Sequence, residues 1–262
     1  MKIAVTGKGG VGKTFIAGSL AGRFARQGRP VIAIDADPSP NLGISLGLSP
    51  EDAGTIVPLA ENEELIRLKT GTAYAGVFRL TFTVDDLIDR FAVPTPAGPN
   101  LMVMGTVRSM GSGCTCPAHS VMKALLRHLI VERDEVVILD MEAGIEHLGR
   151  GTAERVDAML VVTDANRKSL EVARAIVRMA ADSAIPRVCL VGNRVTGQEQ
   201  EQIIRAFGGT HGIPVLALVP FDQHVLDNGI SGAPLIEENS PALQKIAHIA
   251  DLLGRPDDAG SG

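Results

Sequence analysis

Residues 2–14 read Lys2-Ile3-Ala4-Val5-Thr6-Gly7-Lys8-Gly9-Gly10-Val11-Gly12-Lys13-Thr14. A short apolar run, Lys2 to Thr6, reads as a buried strand. A glycine loop follows, and from about Lys13 to Gln27 the apolar residues Phe15, Ile16, Leu20 and Phe24 recur at helical spacing. Gly28 and Pro30 end that helix, and Val31 to Ile34 form a second strand. Strand, helix and strand at this spacing make a βαβ unit, which sets the two strands parallel. Glycines between strand and helix let backbone N–H groups turn inward around an anion, and the helix N-terminus adds its positive dipole end.

Working outward, the same alternation recurs toward the C-terminus. Val136–Leu139, Ala158–Val162, Arg187–Val191 and Val215–Val219 read as strands. Helices are expected over Lys168–Ala181, Glu199–Phe207 and Pro241–Leu253. The segment Ser39–Asn100 is less regular. It reads as an insertion within one domain, with a strand over Glu64–Leu68, a short helix over Val84–Phe91 and a proline-rich connection. Leu101–Met104 is strand-like, and a helix is expected from about His119 to Glu132. The fold class implied is α/β: one doubly wound, mostly parallel sheet with helices on both faces. One domain is expected over 1–254, with a polar, disordered tail over 255–262.

Composition agrees. The chain has 262 residues, of which 45% are hydrophobic but only 3% aromatic, so the core must be aliphatic, as parallel sheets prefer. The formal net charge is −5, without a long basic run, which gives no nucleic-acid footprint. No stretch approaches the ~20 apolar residues of a membrane span. The N-terminus does not read as a secretory signal, and the expected location is cytoplasmic. Three cysteines are present, and Cys114 and Cys116 are too close for a good intrachain disulfide. Metal or redox chemistry is the better reading.

The chemistry gathers at the expected carboxyl ends of the strands. Gly7-x-x-x-x-Gly12-Lys13-Thr14 is the P-loop pattern, in its strand-to-helix context. Backbone of Gly9, Gly10, Val11 and Gly12 should cradle ATP or ADP, with Phe15 next in line. Lys13 should reach the β- and γ-phosphates and Thr14 should ligate Mg²⁺. Asp35-Ala36-Asp37-Pro38 lies at the end of the second strand and brings two carboxylates to the same edge. Asp35 would lie near the Mg²⁺ shell. Asp140, in Asp140-Met141-Glu142-Ala143-Gly144, follows a strand beside the P-loop, the usual place for an Mg²⁺ partner.

Lys8 has no part in an ordinary P-loop. With it, Lys8-Gly9-Gly10-Val11-Gly12-Lys13-Thr14 resembles the deviant-Walker family, which includes the nitrogenase iron protein, Min and Par ATPases and nickel-insertion ATPases. The resemblance implies an ATP-dependent homodimer in which Lys8 crosses to the partner's nucleotide. It makes Asp37 the switch I aspartate that orients the attacking water, and Ala143-Gly144 part of switch II, where Gly144 would let the backbone approach the γ-phosphate. It also implies that Asn193-Arg194 and Pro220-Phe221-Asp222 surround the base, with Asn193 reading the adenine edge.

The cysteines narrow the resemblance. Cys-x-Cys offers two ligands, and two copies across a twofold axis offer four, suiting Zn²⁺, Ni²⁺ or an iron–sulfur cluster. Gly111-Ser112-Gly113-Cys114-Thr115-Cys116-Pro117, together with Asp140-Met141-Glu142-Ala143-Gly144, is similar to the CooC-type nickel-insertion ATPases. That similarity implies Ni²⁺, or Zn²⁺ in its place, on Cys114 and Cys116 at a dimer interface. The implied client is apo carbon monoxide dehydrogenase or the related acetyl-CoA synthase, with no nucleic-acid or membrane partner. Two other classes compete. An iron–sulfur electron donor like the nitrogenase iron protein is disfavoured by Ala143, where that protein has a cysteine. A Min/Par-type partition ATPase leaves Cys-x-Cys unexplained. Cys189, in an apolar strand, and Met102, Met104 and Met110 read as core residues, and His119 and His147 as surface residues or metal relays.

Overall fold

The computed structural model describes residues 1–72, 78–79, 82–105, 117–144, 150–183, 185–231 and 240–254. Strand β1 (Lys2–Gly7) leads into α1 (Lys13–Arg26) and β2 (Val31–Ala36). Short helices α2 (Leu42–Ser45), α3 (Pro50–Thr55), α4 (Glu63–Thr70) and α5 (Asp86–Phe91) precede β3 (Val93–Pro94) and β4 (Asn100–Val103). Helix α6 (Pro117–Arg127), prolonged by a π-helical turn over His128–Glu132, leads to β5 (Val136–Met141). Then α7 (Arg150–Ala153), β6 (Ala158–Thr163), α8 (Arg167–Ala181), β7 (Val188–Val195), α9 (Gln198–His211), β8 (Val215–Pro220), α10 (Gln223–Ser231) and α11 (Pro241–Gly254) complete the chain.

The strands form one eight-stranded sheet in the order β3-β4-β2-β5-β1-β6-β7-β8. Among the described residues the β3–β4 pair is the one antiparallel pair of this sheet, and β3 is two residues long. The β7–β8 pairing carries register shifts, and β8 ends at Pro220. The central strands β1, β2, β5 and β6 are buried along their whole length, which is why they read as unbroken apolar runs. Alternate residues feed two cores. Ile3, Val5, Ile138 and Leu160 pack with Ile16, Leu20 and Phe24 of α1 and with Ile246 and Ile249 of α11. Ala4, Ile34 and Leu139 pack on the other face with Leu125 and Leu129, beyond which lies Ile176 of α8.

One expected strand is a helix. Glu64–Leu68 lies inside α4, because the Asn62 side chain accepts the Leu65 N–H and Glu63 and Glu64 occupy the first turn. Only Leu65 and Thr70 of this helix are buried, whereas Leu68 is exposed. The other expected elements are present with shifted ends. β5, for example, runs through Asp140 to Met141, so this carboxylate sits within a strand and not after it. The expected tail over 255–262 lies outside the described residues. Among the described residues no helix is long and apolar enough to cross a membrane.

Candidate nucleotide site

The parallel strands deliver their carboxyl ends to one edge of the sheet. The P-loop joins β1 to α1 there, and Gly12 takes the N-cap position of α1 in a left-handed conformation, φ 92°. A Cβ on Gly12 would stand 2.3 Å from the Asn193 amide nitrogen, so both conformation and space demand glycine. No side chain caps α1, and its first turn carries no acid. Among the described residues its leading N–H groups thus have no side-chain cap, as an anion site requires. Lys13 is buried, with its Nζ 3.8 Å from Asp37 Oδ2. Lys8 is half-buried and its Nζ donates a 3.4 Å hydrogen bond to the Gly9 carbonyl of its own loop.

Asp35 and Asp140 lie side by side in register on β2 and β5, and neither is exposed. Asp35 is engaged. One oxygen accepts the Asp37 N–H at 3.2 Å and the other the Leu42 N–H at 2.8 Å. Burial raises its pKa against those N–H groups. It therefore anchors the turn that carries Asp37, instead of presenting oxygens to a metal. Asp37 itself is partly exposed, and its other oxygen accepts the Ser39 N–H at 3.0 Å.

Asp140 differs from Asp35. Burial pushes its carboxyl up to about 7, the Thr14 hydroxyl and Lys13 oppose the shift, and the Asp35 and Asp37 charges add to it. Thr14 faces the carboxylate, yet among the described residues neither oxygen has a hydrogen bond of good geometry. A buried carboxylate without a donor is costly unless a cation completes it. Thr14 and Asp140 together offer hard oxygen ligands, the donor set that Mg²⁺ takes alongside nucleotide phosphates. The residues present thus fit Mg²⁺.

A pocket of about 240 Å³ opens beside the P-loop and is lined by Gly12, Phe15, Asn193, Arg194, Pro220, Phe221 and Asp222. The sequence reading named all of these. It missed Val225 and Leu226 of α10, which close the apolar wall. Asn193 and Arg194 lie within β7, just before its end at Val195, and not in a loop after it. The Asn193 amide donates to the Val11 carbonyl at 2.8 Å, and the Arg194 guanidinium to the Gly10 carbonyl at 3.0 Å. Both side chains brace the P-loop, so the amide group expected to read the adenine edge is already committed to Val11. Arg194 does so from φ 56°, the one non-glycine in the described chain at positive φ. Phe221 is 43% exposed at the pocket mouth.

Asp222 is also committed. It accepts the His224 N–H at 3.0 Å, the Ser240 hydroxyl at 2.5 Å and the Ala242 N–H at 3.2 Å. Burial would raise its pKa, but these donors hold it below the ordinary value. The carboxylate thereby ties the starts of α10 and α11 to the end of β8, and it builds the pocket wall more than it faces a base.

Thr6, which the sequence reading passed over, lies fully buried at the end of β1. Its hydroxyl contacts the backbone just after β5, donating to the Glu142 carbonyl at 2.8 Å and accepting the Gly144 N–H at 3.3 Å. Met102 and Met104 are buried in the core, as is Cys189 in β7. His119 is exposed on α6. Cys114, Cys116, Met110 and His147 lie outside the described residues.

Residues 2–235 match the CobQ/CobB/MinD/ParA nucleotide binding domain family, CbiA. An uncharacterised ATP-binding protein of Methanocaldococcus jannaschii is 42% identical over 256 residues, 97% of each chain. The carbon monoxide dehydrogenase accessory protein CooC of Rhodospirillum rubrum is 40% identical over 259 residues, again 97% of each. The septum site-determining protein MinD of Pyrococcus horikoshii OT3, solved with Mg-ADP, superposes with a TM-score of 0.67 at 18% identity, over 97% of this chain and 95% of that one. The chain belongs to the CobQ/CobB/MinD/ParA nucleotide-binding family and is an ATPase of the MinD/ParA/CooC type.

Proposed function

We propose that this ATPase is a dimeric nickel metallochaperone, which holds Ni²⁺ as cargo on Cys114 and Cys116 of two copies and delivers it to apo carbon monoxide dehydrogenase or acetyl-CoA synthase in the cytoplasm. The observation that carries the proposal joins sequence and fold. Cys114-Thr115-Cys116-Pro117 falls between β4 and α6, and the chain leaves β4 at the nucleotide edge. There the Met104 N–H donates to the Asp35 carbonyl at 2.8 Å. The segment bearing the thiols therefore starts beside the end of β2, whose Asp35 side chain anchors Asp37. The 40% identity to a carbon monoxide dehydrogenase accessory protein supports the same reading.

In this reading the chain's own groups divide the work. Lys13 leaves Asp37 and turns to the β- and γ-phosphates, which frees Asp37 to orient water. Thr14 and Asp140 hold Mg²⁺, which supplies charge neutralisation at the phosphates when bound. The backbone of Gly9 through Gly12 wraps the phosphates. Phe15, Asn193, Arg194, Pro220 and Phe221 enclose the base, with Asp222 fixing the wall. Lys8, which here rests on the Gly9 carbonyl, reaches the nucleotide of a second copy.

Anaerobic nickel loading of the chain and of a Cys114→Ser/Cys116→Ser variant, followed by metal analysis, tests the proposal. One nickel per two chains, lost in the variant, is the expected result. Iron with acid-labile sulfide would replace it with an electron-donor reading, and cysteine-independent metal would remove the cargo site.

A further inference from the structure

The last residue of β1 before the P-loop has a polar side chain with no exposure, in a strand otherwise filled by Ile3, Ala4 and Val5. Thr6 pairs in the sheet with Val161 of β6, so its backbone is fixed on the side away from β5. Its hydroxyl reaches 138 residues along the chain to Gly144. A hydroxyl has one proton to give. The Glu142 carbonyl at 2.8 Å is the better acceptor, and the Gly144 carbonyl lies farther off at 3.3 Å. With the proton committed to Glu142, the oxygen remains to receive the Gly144 N–H. Gly144 is buried and takes φ 146°, a setting in which glycine alone is at ease.

We infer that Thr6 is a positioning residue for the ATPase: its hydroxyl latches switch II by occupying the Gly144 N–H, the same donor that the γ-phosphate would claim. The inference rests on the ATP-switch reading of the site. In the state seen here both partners of the Thr6 hydroxyl are switch II backbone groups, so the loop is held to β1 and through it to the P-loop. A γ-phosphate drawing Gly144 toward Lys13 must take the N–H from Thr6. A nucleoside diphosphate lacks that oxygen and leaves the latch closed. The hydroxyl is thus a competitor whose strength sets how sharply the protein distinguishes the triphosphate from the diphosphate.

Thr6→Val keeps the β-branched shape and the volume but removes the hydroxyl. The Gly144 N–H then lacks its partner in the latched state, and the unlatched state loses nothing. The Kd for ADP divided by the Kd for a non-hydrolysable ATP analogue is expected to rise about three- to tenfold, the range of one neutral hydrogen bond. Thr6→Ser restores the hydroxyl and should return the ratio to that of the wild type, which loss of packing alone would not do. Amide exchange gives a second readout. In the nucleotide-free protein the peptide covering 140–144 should exchange faster in Thr6→Val than in Thr6→Ser. Should Thr6→Val not fold, Thr6→Cys, with its weaker sulfur acceptor, is expected to move the ratio in the same direction. An unchanged ratio in variants that bind both nucleotides would overturn the latch and leave the ATP switch standing. A wild-type protein that binds neither nucleotide would overturn both.

Discussion

Asp140→Asn is expected to make the nucleotide-free protein more stable while removing its activity. The wild-type carboxyl sits at about 7 against 3.8 for the free side chain, mainly through burial. Between those values the folded state binds more protons than the unfolded one. Stability therefore falls as pH rises from about 4 to about 7 and is flat above. Three units at ~1.4 kcal/mol each put the penalty at pH 8 at about 4 kcal/mol, an upper figure. Asn carries no charge but buries an amide, which costs about 1–3 kcal/mol of its own. The net gain at pH 8 is about 1–3 kcal/mol, or about 3–10 °C in Tm for a chain of this size. Thermal unfolding in EDTA at pH 5 and pH 8 measures it. The two proteins should differ little at pH 5, and the variant should unfold higher at pH 8. Mg²⁺-dependent ATP hydrolysis should drop about a hundredfold or more. Parallel pH profiles, or a variant less stable than wild type at pH 8, would refute the claim that Asp140 is a carboxylate held without a partner.

Three further outcomes are expected. Lys8→Ala should bind nucleotide normally yet stay monomeric with ATP in sedimentation velocity, because the Lys8 amine meets the Gly9 carbonyl of its own loop and, among the described residues, no phosphate-binding group. Asp222→Ala strands the Ser240 hydroxyl and the N–H groups of His224 and Ala242. It should cost about 2–4 kcal/mol in chemical denaturation and loosen nucleotide binding through the pocket wall. Gly12→Ala places a methyl against Asn193 at φ 92°, and isothermal titration should show ATP binding weakened by tenfold or more, as about 1.4 kcal/mol of strain or lost contact would give.

Much of the fold was readable because its signals are local. The βαβ unit shows in apolar periodicity, and the P-loop in glycine spacing. The central strands announce themselves because both faces are buried and no alternation blurs them. Glu64–Leu68 misled because a five-residue run containing three apolar residues suits either a strand or one helical turn. The deciding group, the Asn62 cap, lies just outside the run. Strand ends were read short at Asp35, Asp140 and Asn193. A polar residue argues against a strand by itself, but pairing with neighbours on either side carries the ladder through it. The roles that sequence could not supply depend on distant partners. Thr6 meets Gly144, Asn193 meets Val11 across 182 positions, and Asp222 meets Ser240 and Ala242. In each case the side chain's task is set by what the sheet order brings beside it.

The two borders of the sheet bear on how copies of this protein can meet. A strand with open N–H and C=O groups invites a neighbouring chain to extend the sheet, in orderly dimers or in aggregates. Here one border is the two-residue β3, whose second residue is Pro94. The other is β8, preceded by Pro214, terminated by Pro220 and out of step with β7. Prolines donate no ladder hydrogen bond, and an irregular border offers no straight template. Association by strand addition is thereby discouraged at both ends. In the dimer proposed above, contact between copies would then fall to surfaces other than the sheet borders, and the loops at the carboxyl edge would let self-association follow the bound nucleotide and not merely the concentration of protein.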